Sequence, residues 1–165
     1  MKPRAEPRRF EEKAGRLSRL EDICRRRGIP LTVQRRSVFA AVLARSDHPT
    51  AEQVFQDIQA EVPGISRTTV YRALDTLVEL GLVRKASHLG AAARFDPNTE
   101  RHHHIVCRVC ETVVDLNARA LDALPVPDLR KHGFLVDDYS IHFTGLCDGC
   151  RRRGRAGARK KKHSS

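Results

Sequence analysis

Two pairs of cysteines, Cys107-x-x-Cys110 and Cys147-x-x-Cys150, constrain this chain more than any other feature. A C-x-x-C spacing lets two thiolates face one centre, and two such pairs complete a tetrahedral S4 site suited to Zn²⁺. The 36 residues between the pairs exceed the usual zinc-ribbon gap. The chain between them therefore has to leave and return, as a small strand-helix-strand unit does. Two disulfides or redox dithiol pairs are the alternative. No apolar run approaches the roughly 18 residues of a membrane span, and residues 1–20 hold no apolar leader stretch. A protein without a membrane span, in the cytoplasm, is expected. Thiols stay reduced there, which favours structural zinc. Cys24 falls instead in the apolar stripe of a helix and reads as a buried, inert thiol.

Upstream of the cysteines the periodicity is helical. Leu17, Leu20, Ile23 and Cys24 share a face before Gly28 and Pro30. Thr32 caps a second helix with Val38, Phe39, Val42 and Leu43 on one stripe. Thr50 caps a third, with Gln53 placed for a capping box and Val54, Phe55 and Ile58 as its apolar face. Ser66 caps a fourth, in which Val70, Leu74, Leu77 and Val78 repeat at helical spacing and Gly81 takes the C-terminal cap. Residues 82–86 and 92–95, around a turn containing Gly90, read as a β-hairpin. Helices followed at once by a hairpin give the order of a winged helix-turn-helix.

Past Pro97 the expectation is strands at 102–107 and 112–116, a helix over 117–132 interrupted at Pro125 and Pro127, and a strand over 134–144. Tyr139, Ile141 and Phe143 alternate onto one face of that last strand. A unit of about 50 residues is small for an independent core and needs a metal, a partner subunit or both. A second donor cluster surrounds the first cysteine pair: Asp96, His102, His104 and Asp115. His102 and His104, two apart on a strand, project from one face, and His103 from the other. Imidazoles with carboxylates suit Fe²⁺, Mn²⁺, Zn²⁺ or Co²⁺, although three adjacent histidines also occur as a plain surface feature. His48 lies far upstream, in the turn between helices two and three.

Charge is concentrated at the ends. Of a net +11, residues 151–165 contribute +8 from five Arg and three Lys, residues 1–27 contribute +5, and residues 28–150 sum to −2. Residues 1–15 read as a flexible basic arm and 151–165 as a disordered basic tail. Basic ends on a neutral body are drawn to polyanions, nucleic acid first, or serve only to keep a chain soluble.

The winged-helix order, Ser66-Arg-Thr-Thr-Val-Tyr-Arg72, the run His102-His-His-Ile-Val-Cys-Arg-Val-Cys110 and the final Cys147-x-x-Cys150 together resemble the ferric uptake regulator (Fur) family of dimeric, metal-dependent bacterial transcription regulators. The resemblance runs from about residue 17 to 150. It implies an α+β protein: an N-terminal winged helix-turn-helix DNA-binding domain at 1–97, then a small C-terminal α/β dimerisation domain at 98–150. That second domain is expected to carry a four-cysteine zinc site at Cys107, Cys110, Cys147 and Cys150. The resemblance also implies a homodimer on a palindromic double-stranded DNA operator, with no enzymatic activity and no membrane partner.

Residue by residue, the resemblance places a regulatory Fe²⁺ or Mn²⁺ site at His48, Asp96, His102, His104 and Asp115, and DNA contacts at Arg67, Thr68, Thr69, Tyr71 and Arg72. Asp at 115 resembles the peroxide-sensing branch, whose repressors release DNA when a histidine ligand is oxidised; an iron- or manganese-uptake regulator is the alternative. A zinc-ribbon RNA-binding protein or a metallohydrolase are the alternatives of other classes. Three positions depart from the family pattern. Thr32-Val-Gln-Arg35 lacks the usual proline after the cap, Glu111 stands where glycine often follows the second cysteine, and Tyr139 stands where some relatives place a further metal-binding histidine.

Overall fold

The structure, a computed structural model, describes residues 7–86, 92–125 and 127–161, apart from the side chains of 7–11 and 155–161. The chain divides into two compact units, residues 1–99 and 100–165.

The first unit contains four helices, α1 (Pro7–Arg26), α2 (Val33–Ala44), α3 (Ala51–Ile58) and α4 (Arg67–Glu79), then an antiparallel pair, β1 (Arg84–Ala86) and β2 (Arg94–Asp96). Each helix start after α1 has the side-chain cap its sequence calls for. Thr32 accepts from Arg35 N, Ser66 from Thr69 N, and Thr50 and Gln53 form a reciprocal capping box. The missing proline at Val33 therefore leaves the cap intact. Two helices end in the same way. Gly28 and Gly81 sit at φ +63° and +68°, and the next residues, Ile29 and Leu82, donate back to the Cys24 and Leu77 carbonyls. That left-handed step closes the helix on its own last carbonyls. The inward faces build one core of Leu20, Cys24, Val38, Phe39, Val42, Val54, Ile58, Val70, Leu74, Leu77, Leu82 and Phe95. Each fully buried large side chain stabilises by about 1.5–3 kcal/mol.

Residues 7–15 are not a flexible arm: α1 begins at Pro7. Proline is pre-set for the first helical position, and Glu11 and Glu12 alternate with Arg8, Arg9, Lys13 and Arg16 at spacings that favour helix without any apolar face. The wing's turn around Gly90 lies outside the described residues.

The second unit is a three-stranded sheet of order β4-β3-β5, from β3 (His103–Cys107), β4 (Val113–Leu116) and β5 (His142–Gly145). β3 pairs antiparallel to β4, with His104 opposite Asp115, and parallel to β5, with His104 opposite His142. The long connection needed by the parallel pair holds a short helix α5 (Arg119–Asp122) and a 3-10 turn (Arg130–His132) in place of the helix expected over 117–132. Pro125 and Pro127 remove two donors and bias the residues before them away from helix, which ends α5 after one turn. The strand expected over 134–144 forms only from His142. Phe134, Leu135 and Val136 are exposed and belong to no strand. Their apolar character predicted burial, but among the described residues of one chain no strand covers them.

The tail also differs from the expectation. Helix α6 (Asp148–Lys161) replaces the disorder expected over 151–161. Its first turn is fixed by the cysteine pair, with Arg151 N donating to the Cys147 carbonyl at 2.9 Å. Among the described residues no helix is long and apolar enough to cross a membrane.

Candidate functional site

The four cysteines of the two pairs converge. All are free thiols, and their sulfurs lie within 4.8 Å of one another, Cys110 Sγ and Cys147 Sγ 3.6 Å apart. The parallel β3–β5 ladder causes this: it runs Cys107 beside Gly145, so the knuckle after β3 and the turn into α6 meet at one end of the sheet. Backbone donors are already directed at the sulfurs. Cys147 N donates to Cys107 Sγ and Cys150 N to Cys147 Sγ, each at 3.4 Å. The Cys147 N–H, then those of Cys110 and Val109, lower the Cys107 thiol to about 5. The Thr112 hydroxyl lowers Cys110 as well. Arg153 donates to Cys150 Sγ at 3.1 Å and favours its thiolate, but burial and the three neighbouring sulfurs outweigh it and push Cys150 up to about 11. Four sulfurs at one point, with backbone donors that favour the thiolate of Cys107, are the donor set of a closed structural Zn²⁺ site rather than of two disulfides.

The imidazole and carboxylate donors are laid down within each unit separately. In the second unit the antiparallel register puts His102, His104 and Asp115 on one face of the sheet. His102 Nε2 and His104 Nε2 lie 3.6 and 3.8 Å from Asp115 Oδ1, and the two rings meet edge-on at 4.5 Å. His102 Nδ1 is 2.8 Å from the Glu100 carbonyl, which fixes the proton there and leaves Nε2 as the ligand nitrogen. Both histidines are buried.

In the first unit His48 Nε2 lies 3.3 Å from Asp96 Oδ2, both side chains about 3% exposed. His48 adopts φ +51°, unusual for a residue with a side chain. The wing strand holds it there: Arg94 donates to the His48 carbonyl at 3.1 Å, and Phe95 N donates to the Pro49 carbonyl. Asp96 follows directly on that strand, and the Asn98 N–H fixes its other oxygen. These N/O donors suit a harder first-row ion such as Fe²⁺ or Mn²⁺, in contrast to the thiolate set.

His103 turns to the opposite face, fully buried. Its Nε2 lies 3.2 Å from Asp122, its ring stacks on Tyr139 at 6.2 Å, and Tyr139 in turn donates to the Leu121 carbonyl. The Arg101 guanidinium also lies over the Tyr139 ring at 4.8 Å. Tyr139 is thus a packing and hydrogen-bonding residue. Sequence reasoning missed His142, whose ring stacks on His104 at 5.4 Å. It also missed Arg153. Both owe their place to the parallel register and the helical tail, which spacing alone does not reveal.

On α4, Thr68, Tyr71 and Arg72 are exposed, Tyr71 by 51%. Arg67 is exposed but engaged: it makes two 2.8 Å bonds to Glu52 and lies over the Phe55 ring. Thr69 is partly spent on the cap, 2.9 Å from the Ser66 hydroxyl. Thr69 and Arg72 also line an open groove with Thr32, Gln34 and Arg35 at the start of α2.

A winged-helix unit followed by an α/β unit carrying a four-cysteine cluster defines a class of two-unit metal-binding regulators. Comparison with known proteins gives the family. The sequence profile of the ferric uptake regulator family matches residues 26–144. The chain is 31% identical over 132 residues to the peroxide-responsive repressor PerR of Staphylococcus epidermidis, covering 79% of this chain and 87% of that one. It is similar in fold to the Helicobacter pylori ferric uptake regulator Fur, with TM-score 0.68 at 18% identity over 92% and 97% of the two chains. A zinc-bound manganese uptake regulator aligns with TM-score 0.60 and 28% identity over 78% and 98%. The chain belongs to the ferric uptake regulator family. It is therefore a metal-responsive regulator of a family whose members bind DNA as dimers. Membership of that family replaces the zinc-ribbon reading.

Proposed function

We propose that this chain is a transcriptional repressor that holds its operator while one ferrous ion is bound by both units, and lets go when peroxide oxidises a histidine ligand. The observation that carries it is the separation of donor types within each unit. The second unit holds an all-sulfur cluster and, on its sheet face, His102 and His104 beside Asp115, while the first holds His48 beside Asp96, so that both carboxylates are aspartates. The similarity to a peroxide-responsive repressor supports the same reading.

In this account His48 and Asp96 from the first unit, and His102, His104 and Asp115 from the second, are ligands of one ion. An ion that needs all five favours one arrangement of the units over the others, and shifts the population only by that preference. Ferrous iron would supply the activation of peroxide. His48 or His102 receives one oxygen atom on its imidazole, the remainder of the peroxide leaving as water, and the oxidised ring no longer holds its unit in place. The cysteine cluster keeps the second unit folded throughout.

Two copies join through the apolar residues that one chain leaves exposed, among them Ile105, Val114, Phe134, Leu135 and Phe143. The paired α4 helices then meet a palindromic duplex at half-sites about one turn, roughly 34 Å, apart. Thr68, Thr69, Tyr71 and Arg72 contact DNA there, and Arg67 exchanges Glu52 for phosphate or a base.

The test is fluorescence anisotropy with a duplex selected from a random library by the Mn²⁺-loaded protein. Chelation should release the duplex. His48→Ala and Asp115→Ala should each weaken the metal dependence by at least about tenfold, the loss that even outer-shell partners cause. Metal-independent binding by the wild type would overturn the proposal. Retention of DNA by the iron-loaded protein after peroxide would reduce the chain to an iron- or manganese-uptake regulator.

A further inference from the structure

Helix α6 is anchored at its first turn. Its first turn belongs to the cysteine cluster, through Cys150 N on Cys147 Sγ, Arg151 N on the Cys147 carbonyl and Arg153 on Cys150 Sγ. Arg151 also pairs with Asp148 at 2.8 Å. Beyond that turn the helix has little to sustain it. Fourteen residues is short for a helix in water. Gly149, Gly154 and Gly157 weaken it, and Gly154 faces open space, since a Cβ there would meet nothing within 4 Å. Like charges recur at helical spacing, Arg151 to Arg155 to Arg159 and Arg152 to Arg155. Arg151, Arg152 and Arg153 are exposed. A helix with this sequence is stabilised wherever a row of fixed negative charges removes the repulsion.

We propose that α6 is a second, sequence-blind DNA-binding element, seeded by the cysteine cluster and stabilised along its length by duplex phosphates. The inference rests on the DNA-binding reading above and adds a surface outside the winged-helix unit. The chemistry of residues 151–165 selects the partner. Eight cations and no acid match a polyphosphate. No Phe, Tyr or Trp is present to stack on single-stranded bases, and no large aliphatic residue to enter a lipid surface. What remains suits the regularly spaced backbone of a double helix.

The experiment follows the affinity of the full zinc-loaded chain for a random-sequence duplex from about 50 to about 200 mM salt. Deleting 155–165, which leaves Arg151 and Arg153 in the turn at the cysteine cluster, should lower the steepness of the log–log salt dependence by roughly 3, at about 0.9 per phosphate contact. The preference for a library-selected duplex over the random one should stay within about twofold. Ala156→Pro keeps every charge and leaves the Cys150 turn alone, but interrupts the helix. With zinc content unchanged, it should lose at least half of what the deletion loses. Gly154→Ala should move affinity the other way, and adding duplex should raise helical circular dichroism in the wild type more than in Ala156→Pro. A deletion that leaves the salt dependence unchanged overturns the proposal. So does an Ala156→Pro chain that binds as the wild type does, because the charge would then act without the helix. Tighter binding to single-stranded RNA, or to vesicles of phosphatidylglycerol and phosphatidylcholine, would also overturn it. Failure of the library to yield any selected duplex, with the salt dependence on α6 intact, would count against the regulator reading alone.

Discussion

The two units are stabilised by different means. The first buries Leu20, Phe39, Leu74, Leu77 and Phe95 to below 2% exposure, and every one of its interior helix starts is capped. Among the described residues the second buries only Cys107, Val113 and Cys150 of its apolar and sulfur side chains, while Phe134 and Leu135 stand 68% and 78% exposed. An apolar core sets the fold of one, and a thiolate cluster with an uncovered apolar surface sets the fold of the other. Stability in the first should therefore respond to volume, and in the second to metal and to a partner copy.

The largest expected effect tests the second unit. Structural zinc contributes on the order of 10–16 kcal/mol to small metallo-domains, more than such a core supplies. Cys107→Ser or Cys150→Ser should lose zinc by elemental analysis, dimer by sedimentation, and the β-sheet amide signals by NMR. The helices of the first unit should still melt cooperatively. A cysteine variant that stays dimeric without zinc would erase the contrast.

Phe39→Ala asks the converse. It should cost the first unit about 3–5 kcal/mol in thermal or denaturant unfolding, from lost transfer energy and the cavity left behind. Zinc content should not change.

Acidity sharpens the same division. At pH 7 Cys107, near 5, is already thiolate, whereas Cys150, near 11, carries its proton until zinc displaces it. Zinc binding should thus release at least one proton, and affinity should fall as the pH is lowered, about tenfold per unit for each proton released. Calorimetry in buffers of different ionisation heat reads this directly; no proton release would contradict it. The smallest effect returns to the first unit. Thr50→Ala removes half of the capping box and should lower its stability by about 1 kcal/mol, leaving the zinc site unaffected.

The same difference explains what could be read from the sequence. Caps and apolar stripes are local, so Thr32, Thr50, Ser66 and Gly81 mark their helices directly, and the two C-x-x-C pairs announce a tetrahedral sulfur site. The second unit depends on things a single chain's periodicity does not encode. Residues 117–132 have helical spacing, yet Pro125 and Pro127 leave only Arg119–Asp122. Residues 134–140 belong to the expected last strand but find no ladder among the described residues of one chain; the ladder starts only with the bond from His104 N to the Ile141 carbonyl. Composition made the tail look disordered, because charge repulsion is visible in a sequence whereas the Cys147–Cys150 turn that starts α6 is not. His142 was missed because only the parallel register sets it against His104.

The central claim, that one N/O-liganded ion turns peroxide into release of DNA, is tested most directly by peptide mass spectrometry of two samples. Protein loaded with Fe²⁺ and protein loaded with Mn²⁺, each bound to its selected duplex without air, receive the same dose of peroxide. With iron, a peptide containing His48 or His102 should gain one oxygen atom, and the duplex should be released in the same proportion. With manganese both should stay unchanged. Iron-loaded protein that releases DNA with neither histidine oxidised, or that oxidises one and keeps its duplex, would contradict the account.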